Sequence, residues 1–260
     1  MHATDALQPG VSTPIGPGAV SAWRGALLLT AGVLVARVVY LVWLCPYDLG
    51  EDEAFYWEWS KHLDWSYYSK GPGIAWALYA STSVLGDTDL GVRVVAVIAS
   101  GLGMLACAGL AIDVARDHGA PPGRSALLAS AMFVLAPGIQ AADLLSTIDG
   151  PYMACWALAA WAGYRSLRPG AEPPGAEPPG AGPWAALGAA LALGVIFKYT
   201  ILLLSAGVAL AALFTRGEPR RAPLRRGHVA LALAIALLGL VPIVIWNARN
   251  DWGTVRHLLG

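Results

Sequence analysis

Long apolar runs separated by short polar or Pro/Gly-rich breaks organise this chain. The first, Ala22 to Leu44, is long enough at ~1.5 Å per helical residue to cross a ~30 Å hydrocarbon core. Leu90 to Val114 is a second. A third runs from Ser125 to Ile139 and ends around Ala142, and a fourth covers about Pro151 to Leu167. Trp184 to Phe197 and Ile201 to Phe214 are shorter runs on either side of Lys198-Tyr199-Thr200. A lysine between them favours two short helices meeting there over one over-long span. Val229 to Trp246 is the last run. Ile74 to Leu85 is too short to span and reads as an interfacial or re-entrant helix. The pattern predicts an all-α, polytopic transmembrane bundle of about seven spans. Residues 1–21, rich in Pro, Gly and Ser, read as a disordered tail. Residues 169–183, with GAEPP given twice, read as a semi-extended linker, and 22–260 form the transmembrane domain.

Composition agrees: 57% of residues are hydrophobic, 13% are charged, and mean hydropathy is +0.56. Soluble domains carry nearer ~25% charged residues, so the class is integral membrane protein. Formal net charge is zero, which leaves no basic surplus for a nucleic-acid partner. Cys45, Cys107 and Cys155 lack metal-ligand or pairing spacing and read as small apolar residues. Bulky Trp43 and Leu44 before Cys45 argue against a lipoprotein or signal cleavage site. Arg37 interrupts the first span, and either faces a protein cavity or snorkels to a headgroup. Arg24, Arg116, Arg124, Arg165, Arg168 and the five arginines of 216–226 fall on one side of such a bundle. The positive-inside rule makes that side cytoplasmic, with the linker, in a multi-pass protein of the inner (plasma) membrane. The loop 46–88, the Asp143–Asp149 loop, Lys198 and the C-terminal tail then share the extracytoplasmic side.

The loop holds the densest chemistry. Between Tyr47 and Gly73 six carboxylates (Asp48, Glu51, Asp52, Glu53, Glu58, Asp64) sit among three Trp, four Tyr and one Phe. A helix over Glu51–Lys61 puts Asp52, Phe55, Tyr56 and Trp59 on one face, as in an interfacial helix. Walker, Rossmann, CxxC, HExxH and GxSxG patterns are absent from the sequence. What remains is carboxylates (Asp52, Glu53, Asp149) opposite cations (Lys70, Arg93, Lys198). That set suits transfer from a membrane-embedded phosphate ester: cations stabilise the departing phosphate while a carboxylate takes the proton of the attacking hydroxyl or amine. Asp52 and Asp149 are also the pair that would share a divalent cation, if the site holds one. Few intramembrane charges besides Arg37, and no matching halves, weigh against a transporter.

The ordered motifs Asp52-Glu53-Ala54-Phe55-Tyr56-Trp57, Trp65-Ser66-Tyr67-Tyr68, Gly71-Pro72, Leu90-Gly91-Val92-Arg93, Thr147-Ile148-Asp149-Gly150-Pro151, Phe197-Lys198-Tyr199-Thr200 and Ile245-Trp246-Asn247 resemble family 39 glycosyltransferases of the GT-C superfamily. These are relatives of protein mannosyltransferases and aminoarabinose transferases. The resemblance implies a GT-C fold, a polyprenyl-phosphate-linked sugar donor and inverting single displacement on the extracytoplasmic face. Carried over residue by residue, Asp52 is the base and Glu53 its catalytic neighbour. Asp149, Lys198, Arg93, Lys70, Tyr67 and Tyr68 contact substrate, with the acceptor unassigned. The chain departs from the pattern at Ser69-Lys70-Gly71-Pro72, where relatives show Asp-His-Pro-Pro. It is expected to be the N-terminal portion of such an enzyme. The competing expectation is a non-catalytic fragment or lipid-binding membrane subunit.

Overall fold

The structure is a computed structural model that describes residues 17–168, 180–214 and 225–259. All regular elements among these residues are helical. Helix α1 (Pro17–Val39) continues through a π-helical turn to Leu44, and α2 (Glu51–Lys61) and α3 (Gly73–Leu85) form the loop that follows. Next come α4 (Asp89–Asp117), α5 (Pro122–Leu135), α6 (Pro137–Leu144) and α7 (Asp149–Leu167). Helix α8 (Ala181–Phe197) leads through a 3-10 turn, Tyr199–Ile201, into α9 (Leu202–Phe214). The chain closes with α10 (Arg226–Leu238), α11 (Val241–Arg249) and α12 (Gly253–Leu259).

Four boundaries differ from expectation. Helix α1 already includes residues 17–21 of the expected tail, and α8 starts inside the expected linker; residues 1–16, 169–179 and most of the basic 216–226 loop lie outside the described residues. The run from Ser125 to Ala142 is two helices rather than one span. Ala136, forced extended (ψ 112°) by Pro137, separates them. The last run is likewise α10 and α11, bent by 42° near Gly239 and Pro242. Two described helices, Ser21–Leu44 and Asp89–Asp117, are long and apolar enough to cross a membrane, or three if the bent pair is one span, against about seven expected. The remaining apolar helices fall short of the ~20 residues of a full crossing.

Arg37 faces protein: its guanidinium donates to Asp143 Oδ2 at 3.2 Å, to Gln140 Oε1 at 2.9 Å and to Ser100 Oγ. It thereby ties α1 to α4 and α6. At one end of the bundle, Trp23 of α1 meets Trp161 of α7, and Asp113 and Asp117 of α4 bind Trp161, Tyr164 and Arg168. Arg165 joins Asp113 at 3.7 Å, so the basic residues of α7 collect where α4 ends. At the opposite end a buried cluster of Tyr56, Ile74, Leu78, Val92 and Ile148 fastens α2 and α3 onto α4 and the start of α7. Burying side chains of this size stabilises by roughly 1.5–3 kcal/mol each, so the loop is a packed layer.

Candidate active site at one end of the bundle

Helix α2 starts where its sequence puts the charge. Glu51, Asp52 and Glu53 occupy its first turn, where the helix dipole favours anions, and Glu53 Oε2 accepts the Gly50 amide at 2.9 Å. Successive helical residues point about 100° apart, so the adjacent acids separate. Asp52 is exposed, and Glu53 is 1% exposed.

Glu53 and Arg93 come together, but with each other. Arg93 Nε donates to Oε1 at 3.0 Å and Nη2 to Oε2 at 2.9 Å. The other Arg93 donors reach the Tyr47 carbonyl (3.1 Å), the Asp48 carbonyl (2.8 Å) and Cys45 Sγ (3.3 Å). A guanidinium has five N–H bonds, and here each has an acceptor. Arg93 therefore has no donor left for a substrate phosphate in this arrangement, and Cys45 is an acceptor as well as an apolar filler. Glu53 also accepts the Ser146 amide at 3.0 Å, while Ser146 Oγ donates to the Val92 carbonyl at 2.6 Å. Burial alone would push the Glu53 carboxyl up, but Arg93 and the Gly50 and Ser146 amides hold it below the usual carboxylate range. The pair fixes the start of α2 to α4 and to the loop that carries Asp149.

Asp149 opens α7, its amide held by Thr147 Oγ1 at 3.3 Å. Lys198 lies in the break after α8, where the backbone turns extended (φ −152°, ψ 122°) and frees the side chain from the helix. Its ammonium reaches Asp149 Oδ1 at 2.7 Å and lies 5.5 Å from the Tyr152 ring. This pair is open: the side chains are 39% and 47% exposed, against 3% and 1% for Arg93 and Glu53.

The loop after α2 is pressed against the end of α8. A Cβ at Gly71 would stand 2.2 Å from the Ile196 carbonyl oxygen, so only glycine permits this approach. Lys70, adjacent to it, makes no ion pair among the described residues, and its carbonyl accepts from Tyr67 N and Ser66 Oγ. Tyr67 stacks on Trp59 (centroids 4.1 Å apart, 4° between planes) and donates to the Trp59 carbonyl at 3.0 Å. It braces the loop. Tyr68 is exposed and lies against Gly253. Asp64, which motif reading passed over, accepts Trp246 Nε1 at 2.8 Å and the Trp65 amide at 2.7 Å, so α11 clasps the loop from across the chain.

Tyr56 is buried in the packed layer of the loop. It sits one turn after Asp52 on the same helix face and belongs to the buried cluster that includes Ile148, the neighbour of Asp149, and against which Phe197, the neighbour of Lys198, packs. Burial raises its phenol, and the carboxylates of Asp52 and Asp149 push in the same direction. The start of α2 and the open ion pair thus lie at the same end of the bundle, joined through the Tyr56–Ile148 cluster. Among the described residues no group of three or more His, Cys, Asp and Glu is gathered as metal ligands, and Asp149 faces Lys198 rather than a second carboxylate.

The family model for dolichyl-phosphate-mannose-protein mannosyltransferase matches residues 69–246. The lipid A galacturonosyltransferase RgtD of Rhizobium johnstonii is 28% identical over 243 residues, covering 90% of this chain and 46% of that protein. The crystal structure of apo ArnT from Cupriavidus metallidurans superposes with a TM-score of 0.64 at 23% identity, over 88% of this chain and 43% of that one. The chain thus spans a little under half the length of each, and the shared fold is the GT-C membrane fold.

Proposed function

The chain belongs to the dolichyl-phosphate-mannose-protein mannosyltransferase family, and on that premise we propose that it is a membrane glycosyltransferase moving a sugar from a polyprenyl-phosphate donor. What supports the reading is the open Asp149–Lys198 ion pair, at the same end of the bundle as exposed Asp52 of α2 and opposite the Asp113–Arg168 network. In the reaction, Asp52 takes the proton of the acceptor hydroxyl as its oxygen bonds to the anomeric carbon. The bond from that carbon to the phosphate oxygen breaks on the opposite face, and the electron pair leaves with the polyprenyl phosphate. Lys198 stabilises that departing charge; Asp149 holds the ammonium in place and carries the acceptor side of the mouth. Lys70, with no ion pair among the described residues, is a second phosphate contact. Glu53 and Arg93 act by holding Asp52 and the Asp149 loop in register. Tyr67 and Tyr68 line the approach.

The positive-inside pattern supports an extracytoplasmic mouth, since Arg165 and Arg168 lie at the far end. The donor sugar and the acceptor follow from transfer assays. Membranes carrying the protein are incubated with labelled polyprenyl-phosphate mannose, galacturonic acid and aminoarabinose, and label is followed into lipid A, other lipid and protein. Lipid A is the first acceptor to test because RgtD is a lipid A galacturonosyltransferase. Transfer of one label, abolished by Asp52→Asn, is expected. Transfer from none of the three sinks the reading. The competing reading, a non-catalytic lipid-binding membrane subunit, predicts binding of the lipid phosphate without turnover in the same assay.

A further inference from the structure

At the end of the bundle that holds the Asp113–Arg168 network, the described arginines fall into two groups. Arg168 binds both Asp113 and Asp117, and Arg165 reaches Asp113 at 3.7 Å. Trp161 and Tyr164 donate to the same two carboxylates, so both acids are committed to α7. Arg24, Arg116 and Arg124 are exposed and make no ion pair among the described residues. They stand on three neighbouring helix ends. Arg24 lies near the start of the crossing segment Ser21–Leu44, and Arg116 lies in the last turn of α4. The short connection 118–121 leads into α5, whose first turn carries Arg124 and no acidic residue.

Backbone packing holds these ends together. A Cβ at Gly123 of α5 would stand 3.5 Å from the Ala22 Cα and 3.6 Å from the Ser21 carbonyl oxygen of α1. Ala22, Ala26, Ala108, Ile112 and Ala126 form one buried cluster across α1, α4 and α5, and Arg116 follows Ile112 by one turn. Depth is set as well. Two helices long enough to cross a membrane terminate here, and Trp23, against Trp161 at 5.9 Å, is of the residue type enriched at headgroup level. Three cations on adjoining ends repel one another, and an anion among them relieves that repulsion. At this depth the available anion is a lipid phosphate, whose oxygens suit the planar guanidinium fork.

We propose that Arg24, Arg116 and Arg124 form a binding surface for the headgroup of an anionic phospholipid, on the α1–α4–α5 side of the bundle. The inference goes beyond the transferase reading and does not depend on it. Counting arginines along the chain treats all five alike; packing separates two that are neutralised from three that are not. A net-anionic headgroup such as phosphatidylglycerol fits, whereas the ammonium of phosphatidylcholine would meet the arginines.

The test uses the full chain in neutral detergent, where membrane orientation plays no part, and follows bound lipid by native mass spectrometry. Phosphatidylglycerol and phosphatidylcholine with the same acyl chains are titrated separately. The wild type is expected to bind phosphatidylglycerol about 10-fold more tightly or better. Arg24→Gln, Arg116→Gln and Arg124→Gln should each weaken it about 5-fold, and the triple variant about 100-fold, with the lipid-free melting temperature unchanged. Arg165→Gln removes the same charge from the same end and should stay within about 2-fold of wild type. Inorganic phosphate at the lipid's concentration should not displace it. Equal binding of the two lipids, or a triple variant that binds like wild type, overturns the proposal. So does an Arg165→Gln loss as large as the other single variants, which would make the effect one of overall charge. Displacement by inorganic phosphate overturns it too, marking a site for soluble anions.

Discussion

Two carboxylate–cation pairs lie at the same end of this molecule, and they do opposite things. Glu53–Arg93 is sealed, forked and saturated, with every guanidinium hydrogen engaged. Asp149–Lys198 is a single contact at 2.7 Å between half-exposed side chains. The sealed pair resists exchange because both partners have been stripped of water. Their remaining hydrogen bonds go to fixed protein groups, the Tyr47 and Asp48 carbonyls, Cys45 Sγ and the Gly50 and Ser146 amides. Removing one side leaves a stranded charge, which costs about 3–5 kcal/mol. The open pair contributes about 0–1 kcal/mol and can trade its partner for a substrate anion. An ion pair that holds structure together and one that is available for chemistry thus differ in hydration and donor count, not in residue type.

That contrast can be broken in order of expected effect. Asp52→Asn should lower transfer by about 10²–10⁴-fold with an unchanged melting temperature, since Asp52 is exposed; a rate within a few-fold of wild type removes the base role. Glu53→Ala should cost about 3–5 kcal/mol of stability, read by thermal unfolding in detergent. Arg93→Lys should not restore it, because an ammonium cannot fork across both carboxylate oxygens. If Glu53→Ala unfolds like wild type, the sealed pair is not a scaffold. Lys198→Ala should reverse the profile, weakening donor binding about 10-fold or more while shifting stability by less than about 1 kcal/mol. Gly71→Ala falls between: its Cβ must displace the Ile196 carbonyl, costing about 1–3 kcal/mol and moving the loop away from Lys198 together. The smallest effect is with pH. Glu53 sits below its ordinary value of about 4.3, so its contribution is complete above that value. It is lost as the pH falls further, through the folded-state value. Glu53→Gln should flatten that acid limb of the melting profile.

Much of this was legible in the chain. Helix α2 spans Glu51–Lys61, as its charge-and-aromatic spacing implies, and Asp149 and Lys198 meet as their positions flanking apolar runs imply. What escaped was orientation. Asp52 and Glu53 are neighbours in sequence and were grouped as one site, yet the helical turn sends one to the surface and the other inward. Arg93 looked available because a linear reading cannot count acceptors supplied by the Tyr47 and Asp48 carbonyls. The break at Ala136 was marked by Pro137, and apolar composition on both sides hid it.

The Arg37–Asp143 bridge has a consequence for how the protein enters its membrane. The two partners are 106 residues apart, so a chain made from its N-terminus presents the first helix long before α6 exists. During that interval the guanidinium is unaccompanied, at roughly 2.5–3.5 kcal/mol on insertion scales. The surrounding aliphatic residues must carry the helix across unaided, and the bridge can lock only after five further helices have been synthesised. Biogenesis is therefore ordered by this one contact, with a provisional first helix that becomes fixed when its carboxylate arrives.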